Sequence, residues 1–198
     1  MSVIVIILIS IVSFILGSIP SGYLIGKIKG VDIRKIGSGN IGASNAFRVL
    51  GKKEGAITLL LDMLKGLVIV AIVWFIFKKS IYAEISAVFA VLGHDFSLFL
   101  KFKGGKGVAT TYGVCLLFSP YAFIGIALWL IILKITRYAS LASLLSFGIA
   151  LTIILFVNTN TNVKFLFITL FLLMLARHYS NIVRLLQGKE HKINEKKQ

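Results

Sequence analysis

The stretch VIVIILISIVSFILGSIPSGYLI, residues 3–25, contains 23 positions without a charged side chain. As an α-helix it would extend roughly 35 Å at about 1.5 Å per residue, enough to cross the hydrocarbon core of a bilayer. The first cation is Lys27, so the charged segment that precedes the apolar part of a secretory signal peptide is missing. We therefore predict a retained membrane span here.

Five further apolar runs follow the first, at residues 57–77, 81–100, 108–133, 139–157 and 163–176. The run at 108–133 is interrupted at Ser119-Pro120, which predicts two crossings, 108–118 and 121–133. The chain is thus predicted to be an all-α, polytopic membrane bundle of seven transmembrane helices. It forms one domain, residues 1–198, with a cytoplasmic amphipathic tail at 177–198. Residues 108–118 would reach only about 16 Å, so a re-entrant hairpin is the alternative there.

The composition of the whole chain excludes a soluble globular domain and a disordered chain. Of 198 residues, 58% are hydrophobic and 15% are charged, against roughly 45–50% and about 25% in soluble domains. A globule of this size cannot bury that much apolar surface. The single cysteine, Cys115, excludes an intramolecular disulfide framework and a cysteine-based zinc site.

The charge balance sets the predicted orientation of the chain. Lys and Arg number 22 and Asp and Glu number 7, a formal net charge of +15. Such an excess is typical of nucleic-acid binding or of cationic cytoplasmic loops, and the apolar content favours the second, with no nucleic-acid partner. Seven crossings with the N-terminus outside and the C-terminus in the cytoplasm give 18 cytoplasmic cations and 3 external ones.

The first motif, residues 37–48, reads GSGNIGASNAFR. It contains G-x-G-x-x-G, but a membrane span precedes it where a dinucleotide fingerprint requires a strand. Closely spaced glycines nevertheless allow backbone N–H groups to converge on an anion, and Ser38 and Asn45 add side-chain donors. Arg48 is a bidentate partner for phosphate. A flexible linker is the alternative interpretation.

The second motif, residues 101–111, reads KFKGGKGVATT. A helix that begins after Gly107 would direct its free N–H groups and the positive end of its dipole toward an anion beside Lys106. It is not a Walker A loop, because G-x-x-x-x-G-K-[ST] is absent. The alternative is a turn that carries cytoplasmic positive charge.

The third motif, residues 177–190, reads RHYSNIVRLLQGKE. Three-residue spacing places His178 and Asn181 on one helix face, and Gly188 is positioned to end that helix. A plain amphipathic helix at the membrane surface is the alternative.

Ionisable residues also occur inside the predicted spans. Asp62 and Lys65 are three positions apart on one helix face, which predicts a structural ion pair. His94, followed by Asp95, lies shortly before the second motif. We assign His94 a structural role in orienting that motif, and a catalytic pair with Asp95 is the alternative.

In order and spacing, the three motifs resemble those of the PlsY-type acyl-phosphate:glycerol-3-phosphate acyltransferases. The matching segments are GSIPSGYLIGK at 17–27, GSGNIGASN with Arg at 37–48, GH with FLKFKGGKGVAT at 93–110, and HYSNIVRLLQGKE at 178–190. The chain departs from the family pattern at Ser44, Ser97 and Ser180, where the family commonly has Thr, Pro and an acidic residue.

This resemblance implies an activity and a setting. Members of the family transfer a fatty acyl group from acyl phosphate to the sn-1 hydroxyl of glycerol 3-phosphate, which yields lysophosphatidic acid and phosphate. It implies no metal and no cofactor. It also implies a multi-pass protein of the bacterial cell membrane, with the active site facing the cytoplasm. Membrane lipid and a soluble enzyme that produces acyl phosphate are the other expected partners.

The resemblance also assigns residues. The expected catalytic residues are Ser38, Arg48, Lys106, His178 and Asn181. The expected phosphate-binding residues are Gly39, Asn40, Asn45, Gly104, Gly105, Gly107, Ser140 and Ser143. Glu190 matches the third-motif Glu and is expected to act as a brace. In this family a phosphate oxygen of the substrate is thought to take the hydroxyl proton; His178 is the alternative acceptor.

A small multi-span transporter of a phosphorylated or anionic solute is the rival functional class. It would predict inverted repeats and broken helices around charges at the membrane midplane. The polar motifs instead gather at one face of the predicted bundle, which favours the enzyme. A non-catalytic lipid-binding protein is the third possibility.

Overall fold

A computed structural model of the chain describes residues 2–193, and all regular structure in that range is helical. The α-helices are α1 Val3–Gly17, α2 Ser21–Ile28, α3 Ala43–Leu50, α4 Lys52–Phe77, α5 Ser80–Asp95, α6 Val108–Phe118, α7 Tyr121–Thr136, α8 Ala139–Val157, α9 Thr161–Arg177 and α10 Tyr179–Leu186. Single 3₁₀ turns cover Ile33–Lys35 and Leu98–Leu100. The last five residues of the predicted tail, 194–198, lie outside the described range.

The first predicted span is two helices rather than one. The break lies between α1 and α2, at Pro20, which has no N–H with which to continue the helical hydrogen bonds. The exposed carbonyl of Ile19 accepts a hydrogen bond from Lys65 Nζ at 2.8 Å. The break leaves the Ile19 carbonyl without a helical partner, and the Lys65 ammonium supplies one.

The other predicted spans coincide with helices, with differences at their ends. Helices α6 and α8 have the predicted bounds, and the predicted break at Ser119-Pro120 separates α6 from α7. Helix α4 begins five residues before the predicted start. Its first turn contains Glu54, whose charge suits the positive end of the helix dipole, and hydropathy does not detect such a turn.

Within residues 2–193, four segments have the length and apolar character of a membrane crossing: residues 3–28 taken together, α4, residues 80–100 and α8. Helices α9 and α10, bent by 61° relative to each other, supply a fifth if they count as one span. Helices α6 and α7 are apolar but shorter. The all-helical membrane fold agrees with the sequence prediction, whereas seven crossings and their orientation stay predictions.

Helix packing leaves an apolar surface on the outside of the bundle. Helix α1 packs against α5, α4 contacts both α5 and α6, and α7 packs along α8. The core includes the stacked rings of Phe147 and Phe167. Large apolar side chains such as Phe75, Ile131 and Phe156 are exposed on the outer faces. This distribution suits a bundle surrounded by lipid.

The contact between α4 and α6 fixes the position of the second motif. A Cβ atom on Gly113 would lie 2.0 Å from the Met63 carbonyl oxygen, and one on Gly66 would lie 2.6 Å from the Thr110 carbonyl oxygen. The two backbones therefore approach closely only because both residues are glycine. This approach brings the start of α6 beside α4 and the first motif.

Candidate active site

Three helix N-termini line one pocket. Its lining includes residues 42–44 at the start of α3, residues 107–109 at the start of α6, and residues 139–140 at the start of α8. The first N–H groups of a helix have no partner within it, and the helix dipole makes that end positive. The pocket is therefore built to attract anions.

Most of the residues predicted for the site line this pocket. They are Ser38, Asn40, Asn45, Arg48, Lys106, Gly107, Ser140, Ser143, His178, Asn181 and Glu190. Asp62 and His94, which were predicted to be structural, line it too. Gly39 and Gly104 line a neighbouring pocket instead, and Gly105 and Lys65 line neither.

The second motif forms the predicted geometry. Helix α6 begins at Val108, directly after Gly107, whose φ of +66° favours glycine. Lys106 therefore lies beside the positive end of α6. The second motif thus brings an ammonium group and free N–H groups to the same part of the pocket.

A hydrogen-bond network connects the second and third motifs. Lys106 Nζ donates to Asn181 Oδ1, and Asn181 Nδ2 donates to Glu190 Oε1 at 2.6 Å. Ser140 Oγ donates to the same carboxylate oxygen at 3.0 Å, and Arg184 Nε donates to Glu190 Oε2 at 2.9 Å. Burial opposes ionisation of Glu190, but these three donors lower its pKa. The Glu190 carboxylate thus braces the side chains around Lys106.

The environment of Lys106 makes its charge sensitive to pH. Burial lowers the pKa of Lys106 to about 8; Glu190 opposes this shift, and Arg184 with other nearby guanidinium groups adds to it. A bound phosphate would supply the negative charge that this cluster of cations lacks. The ammonium group is consequently poised to interact with an anionic substrate.

Arg48 contacts the segment that follows α10. Its Nε atom donates to the Lys192 carbonyl oxygen at 3.1 Å, and its Nη2 atom approaches the His191 carbonyl oxygen at 3.4 Å. The guanidinium also borders the pocket, as does His191. The first motif and the C-terminal segment therefore meet at Arg48.

The first motif is held in shape by two of its own amide side chains. Asn45 Oδ1 accepts the Ser38 N–H at 2.9 Å, and Asn45 Nδ2 donates to the carbonyl oxygens of Ile33 and Ile36. Asn40 Oδ1 accepts the Gly42 N–H at 2.8 Å. Asn45 was expected to bind phosphate, but its amide is engaged with the backbone. It acts here as a brace of the loop.

Gly105 was also expected to bind phosphate, and its backbone groups are likewise engaged with other parts of the protein. Its N–H donates to the His94 carbonyl oxygen at 2.9 Å, and its carbonyl oxygen accepts from Arg177. Both backbone groups of Gly105 have protein partners, so its N–H is not directed at a phosphate. Tertiary contacts across the loop, which spacing does not encode, produce this difference.

His178 lies at the bend between α9 and α10 and is 2% exposed. Its Nδ1 atom is 2.8 Å from the Met174 carbonyl oxygen. Because a carbonyl only accepts, Nδ1 carries a hydrogen in this arrangement. In the neutral ring, Nε2 is then the nitrogen that can accept a proton.

The predicted ion pair inside the membrane is present and extends to a third residue. Lys65 Nζ lies 2.8 Å from Asp62 Oδ1 and 2.9 Å from His94 Nδ1. The ammonium can only donate, so His94 Nδ1 accepts and the His94 ring is neutral. Asp95 is buried against Gly107 and does not line the pocket. This geometry favours the orienting role of His94 over a catalytic pair.

Sequence reasoning missed several residues near the site, among them Arg184, which donates to Glu190. Trp129 and His191 line the pocket, and Trp129 Nε1 donates to Ser143 Oγ at 3.0 Å. Arg177 lines the neighbouring pocket. Its place beside His178 in the third motif was the available signal. Within residues 2–193, no group of three or more His, Cys, Asp or Glu side chains is arranged to bind a metal.

Comparison with known proteins gives one consistent family. The model for the family described as glycerol-3-phosphate acyltransferase matches residues 7–188. A glycerol-3-phosphate acyltransferase from Thermotoga petrophila is 46% identical over 93% of this chain and 94% of its own length. The Bacillus subtilis enzyme of the same name is 43% identical, over 94% and 96% respectively.

Solved structures agree with these sequence relatives. The crystal structure of PlsY, an integral membrane glycerol 3-phosphate acyltransferase, in its glycerol 3-phosphate form has a TM-score of 0.89 and 41% identity, with 94% of each chain covered. Its lysophosphatidic acid form has a TM-score of 0.87 at the same identity and coverage. These likenesses favour an enzyme over the transporter alternative. The chain belongs to the glycerol-3-phosphate acyltransferase family.

Proposed function

We propose that this chain transfers a fatty acyl group from acyl phosphate to the sn-1 hydroxyl of glycerol 3-phosphate, releasing lysophosphatidic acid and phosphate. The observation that carries the proposal is the pocket, where Arg48, Lys106 and three helix N-termini meet. Both proposed substrates carry a phosphate group. Two anions can occupy one site only where positive charge offsets their repulsion, and this pocket supplies it from side chains and backbone.

The transfer requires positioning more than a strong base. The sn-1 hydroxyl oxygen forms a bond to the acyl carbon, the bond between the acyl carbon and the phosphate oxygen breaks, and inorganic phosphate leaves. Acyl phosphate is a mixed anhydride with a good leaving group, so orientation and charge stabilisation provide most of the acceleration. Arg48 and Lys106 bind phosphate oxygens in this proposal, while Ser38 and the free N–H groups of α3 and α6 add donors.

The proton of the sn-1 hydroxyl passes to a phosphate oxygen of a bound substrate in this proposal. His178 Nε2 is the second possible acceptor, because Nδ1 is committed to the Met174 carbonyl. Asn181 orients Lys106, and Glu190 orients Asn181. Ser140 and Ser143 border the same pocket from α8 and complete its polar lining.

The orientation of the protein in the membrane follows from the same chemistry. Glycerol 3-phosphate is a charged, water-soluble substrate, so the pocket has to be reached from an aqueous compartment. We infer that this is the cytoplasm of a bacterial cell, because the motifs lie in the predicted cationic loops. A soluble enzyme that makes acyl phosphate would then deliver the acyl donor from that side.

The donor is tested with purified protein in lipid vesicles. Given palmitoyl phosphate and glycerol 3-phosphate, it should release inorganic phosphate in equal amount to lysophosphatidic acid, and the acyl chain should be on the sn-1 oxygen. A Lys106→Met variant serves as the inactive control. Turnover with palmitoyl-CoA but none with palmitoyl phosphate would contradict the proposed donor, and a 2-acyl product would contradict the proposed regiochemistry.

A further inference from the structure

Arg177, the last residue of α9, contacts the second motif at a single atom. Its Nε and Nη2 atoms lie 3.2 Å and 2.8 Å from the carbonyl oxygen of Gly105. Its guanidinium also stacks over the Phe96 ring, 4.7 Å from the ring centroid. Two hydrogen bonds and a cation–π contact hold the guanidinium in place.

The opposite side of Gly105 is fixed by α5. The Gly105 N–H donates to the His94 carbonyl oxygen at 2.9 Å, and a Cβ atom on Gly105 would lie 2.1 Å from His94 Nε2. His94 is in turn held by Lys65. The peptide groups on both sides of Gly105 are therefore clamped between α5 and α9, directly before Lys106.

We propose that Arg177 is a positioning residue that sets the place of Lys106 by holding the Gly105 carbonyl. The inference rests on the proposed role of Lys106 in binding substrate phosphate. Arg177 does not line the pocket that contains Lys106, His178 and Asn181, and it acts through the loop. Because the Gly105 carbonyl belongs to the peptide bond that precedes Lys106, a loop released at this point would shift the ammonium directly.

The rival possibility is that Arg177 binds an anion itself. It lines the neighbouring pocket, together with the cations Arg34, Lys103, Lys106 and Arg184. Only the positive charge of Arg177 would then be needed, and Arg177→Lys would keep most of the wild-type kcat/KM. A positioning role instead depends on the two hydrogen bonds from Nε and Nη2 to the Gly105 carbonyl oxygen and on the cation–π contact with Phe96. Lysine cannot form this combination of contacts.

The alkaline limb of the pH profile of kcat/KM separates the two possibilities. The charged and titratable groups that interact most directly with Lys106 are Glu190, Arg184, Arg48, Arg177 and His178. Asp62, His94 and His191 line the same pocket, and Arg34 and Lys103 line the neighbouring one. Arg177→Gln removes one of these cations, so an upward shift of the limb is expected on charge alone. Arg177→Lys keeps the charge, so an upward shift in that variant reports that Lys106 has moved toward solvent.

The experiment compares Arg177→Gln, Arg177→Lys and Phe96→Leu with wild type in vesicles, at matched thermal stability. We expect kcat/KM to fall about 10- to 100-fold in Arg177→Gln, the scale of a misplaced catalytic group. Smaller losses, but well above twofold, are expected in Arg177→Lys and Phe96→Leu, and the alkaline limb should move to higher pH in Arg177→Lys. The control is Arg137→Gln, an exposed guanidinium whose loss should change kcat/KM by no more than about twofold.

Several results would overturn the proposal. A wild-type value of kcat/KM in Arg177→Gln would show that the contact of Arg177 with Gly105 is unimportant for activity. An unchanged alkaline limb of the kcat/KM profile in Arg177→Lys would assign Arg177 to anion binding or to folding alone. If Arg177→Gln fails to fold, the kcat/KM values of Phe96→Leu and Arg177→Lys and the alkaline limb of Arg177→Lys still test the proposal. Failure of the proposed function is recognised separately, because the wild-type protein would then show no turnover with acyl phosphate.

Discussion

Arg48 makes contacts that lysine cannot reproduce. Its guanidinium reaches the carbonyl oxygens of both His191 and Lys192 while it borders the pocket. Such a fork can also bind two phosphate oxygens at once, whereas an ammonium is a point charge.

Arg48→Lys should therefore be damaging although the charge is kept. We expect a loss of about 1.5–3 kcal/mol, the scale of a hydrogen bond to a charged group, or roughly 10- to 150-fold in kcat/KM. Steady-state kinetics on purified protein of matched thermal stability measures this, with Arg137→Lys as control. Near-wild-type activity would show that Arg48 only contributes positive charge to a cytoplasmic loop and does not bind phosphate.

The lowered pKa of Lys106 predicts a pH dependence. Lysine is charged below its pKa, so with a pKa of about 8 the ammonium is present at pH 7 and is lost as pH rises further. We expect kcat/KM to fall above about pH 8, since this parameter reports groups of the free enzyme. The limb of kcat should lie at higher pH, because bound phosphate stabilises the ammonium.

Lys106→Arg provides the matching control for that profile. A guanidinium does not titrate in this range, so the alkaline limb should disappear from whatever activity the variant retains. The same limb in Lys106→Arg and in wild type would assign the ionisation to another group.

At the scale of elements, the approach of α4 to α6 supports the phosphate pocket. A methyl group on Gly113 would lie 2.0 Å from the Met63 carbonyl oxygen, and backbone cannot move aside as a flexible side chain does. Gly113→Ala should therefore separate the two helices and cost about 1–3 kcal/mol, as overpacked cores do.

Thermal unfolding in detergent measures the loss caused by Gly113→Ala. Gly148→Ala on α8 is the matched control, because a Cβ atom there meets only the Phe171 ring at an ordinary distance of 3.5 Å. Equal melting temperatures for both variants would contradict the close packing of α4 and α6.

At the scale of the whole molecule, the topology is open to a labelling test. Single cysteines introduced as Asn160→Cys and Lys79→Cys should react with a membrane-impermeant maleimide in intact cells. Cysteines from Lys103→Cys and Lys192→Cys should react only after permeabilisation. Native Cys115 is fully buried and should stay unlabelled throughout. External labelling at position 192 would contradict seven crossings.

Local sequence patterns were sufficient for most helices and for one part of the site. The apolar runs predicted α6 and α8, and Ser119-Pro120 predicted the break before α7. The glycine before Val108 predicted where α6 begins. These features depend on hydropathy, helix period and turn chemistry, which are properties of consecutive residues.

The partners of the site residues depended on the tertiary structure. The sequence indicated that Arg48, Lys106 and Asn181 belong to cationic, glycine-rich segments, but not that Lys106 donates to Asn181 or that Arg48 meets the residues after α10. It also gave no reason to assign Asn45 and Gly105 to bracing the loops.

The physical reason is the range of the interactions. The sequence by itself determined an all-helical membrane protein with its anion-binding motifs in loops, because burial of apolar runs and the needs of turns act locally. Which loop faces which depends on how helices distant in sequence pack, as at the glycine contact of α4 with α6. Only that packing brings the starts of α3, α6 and α8 to one pocket and clamps Gly105 between α5 and α9.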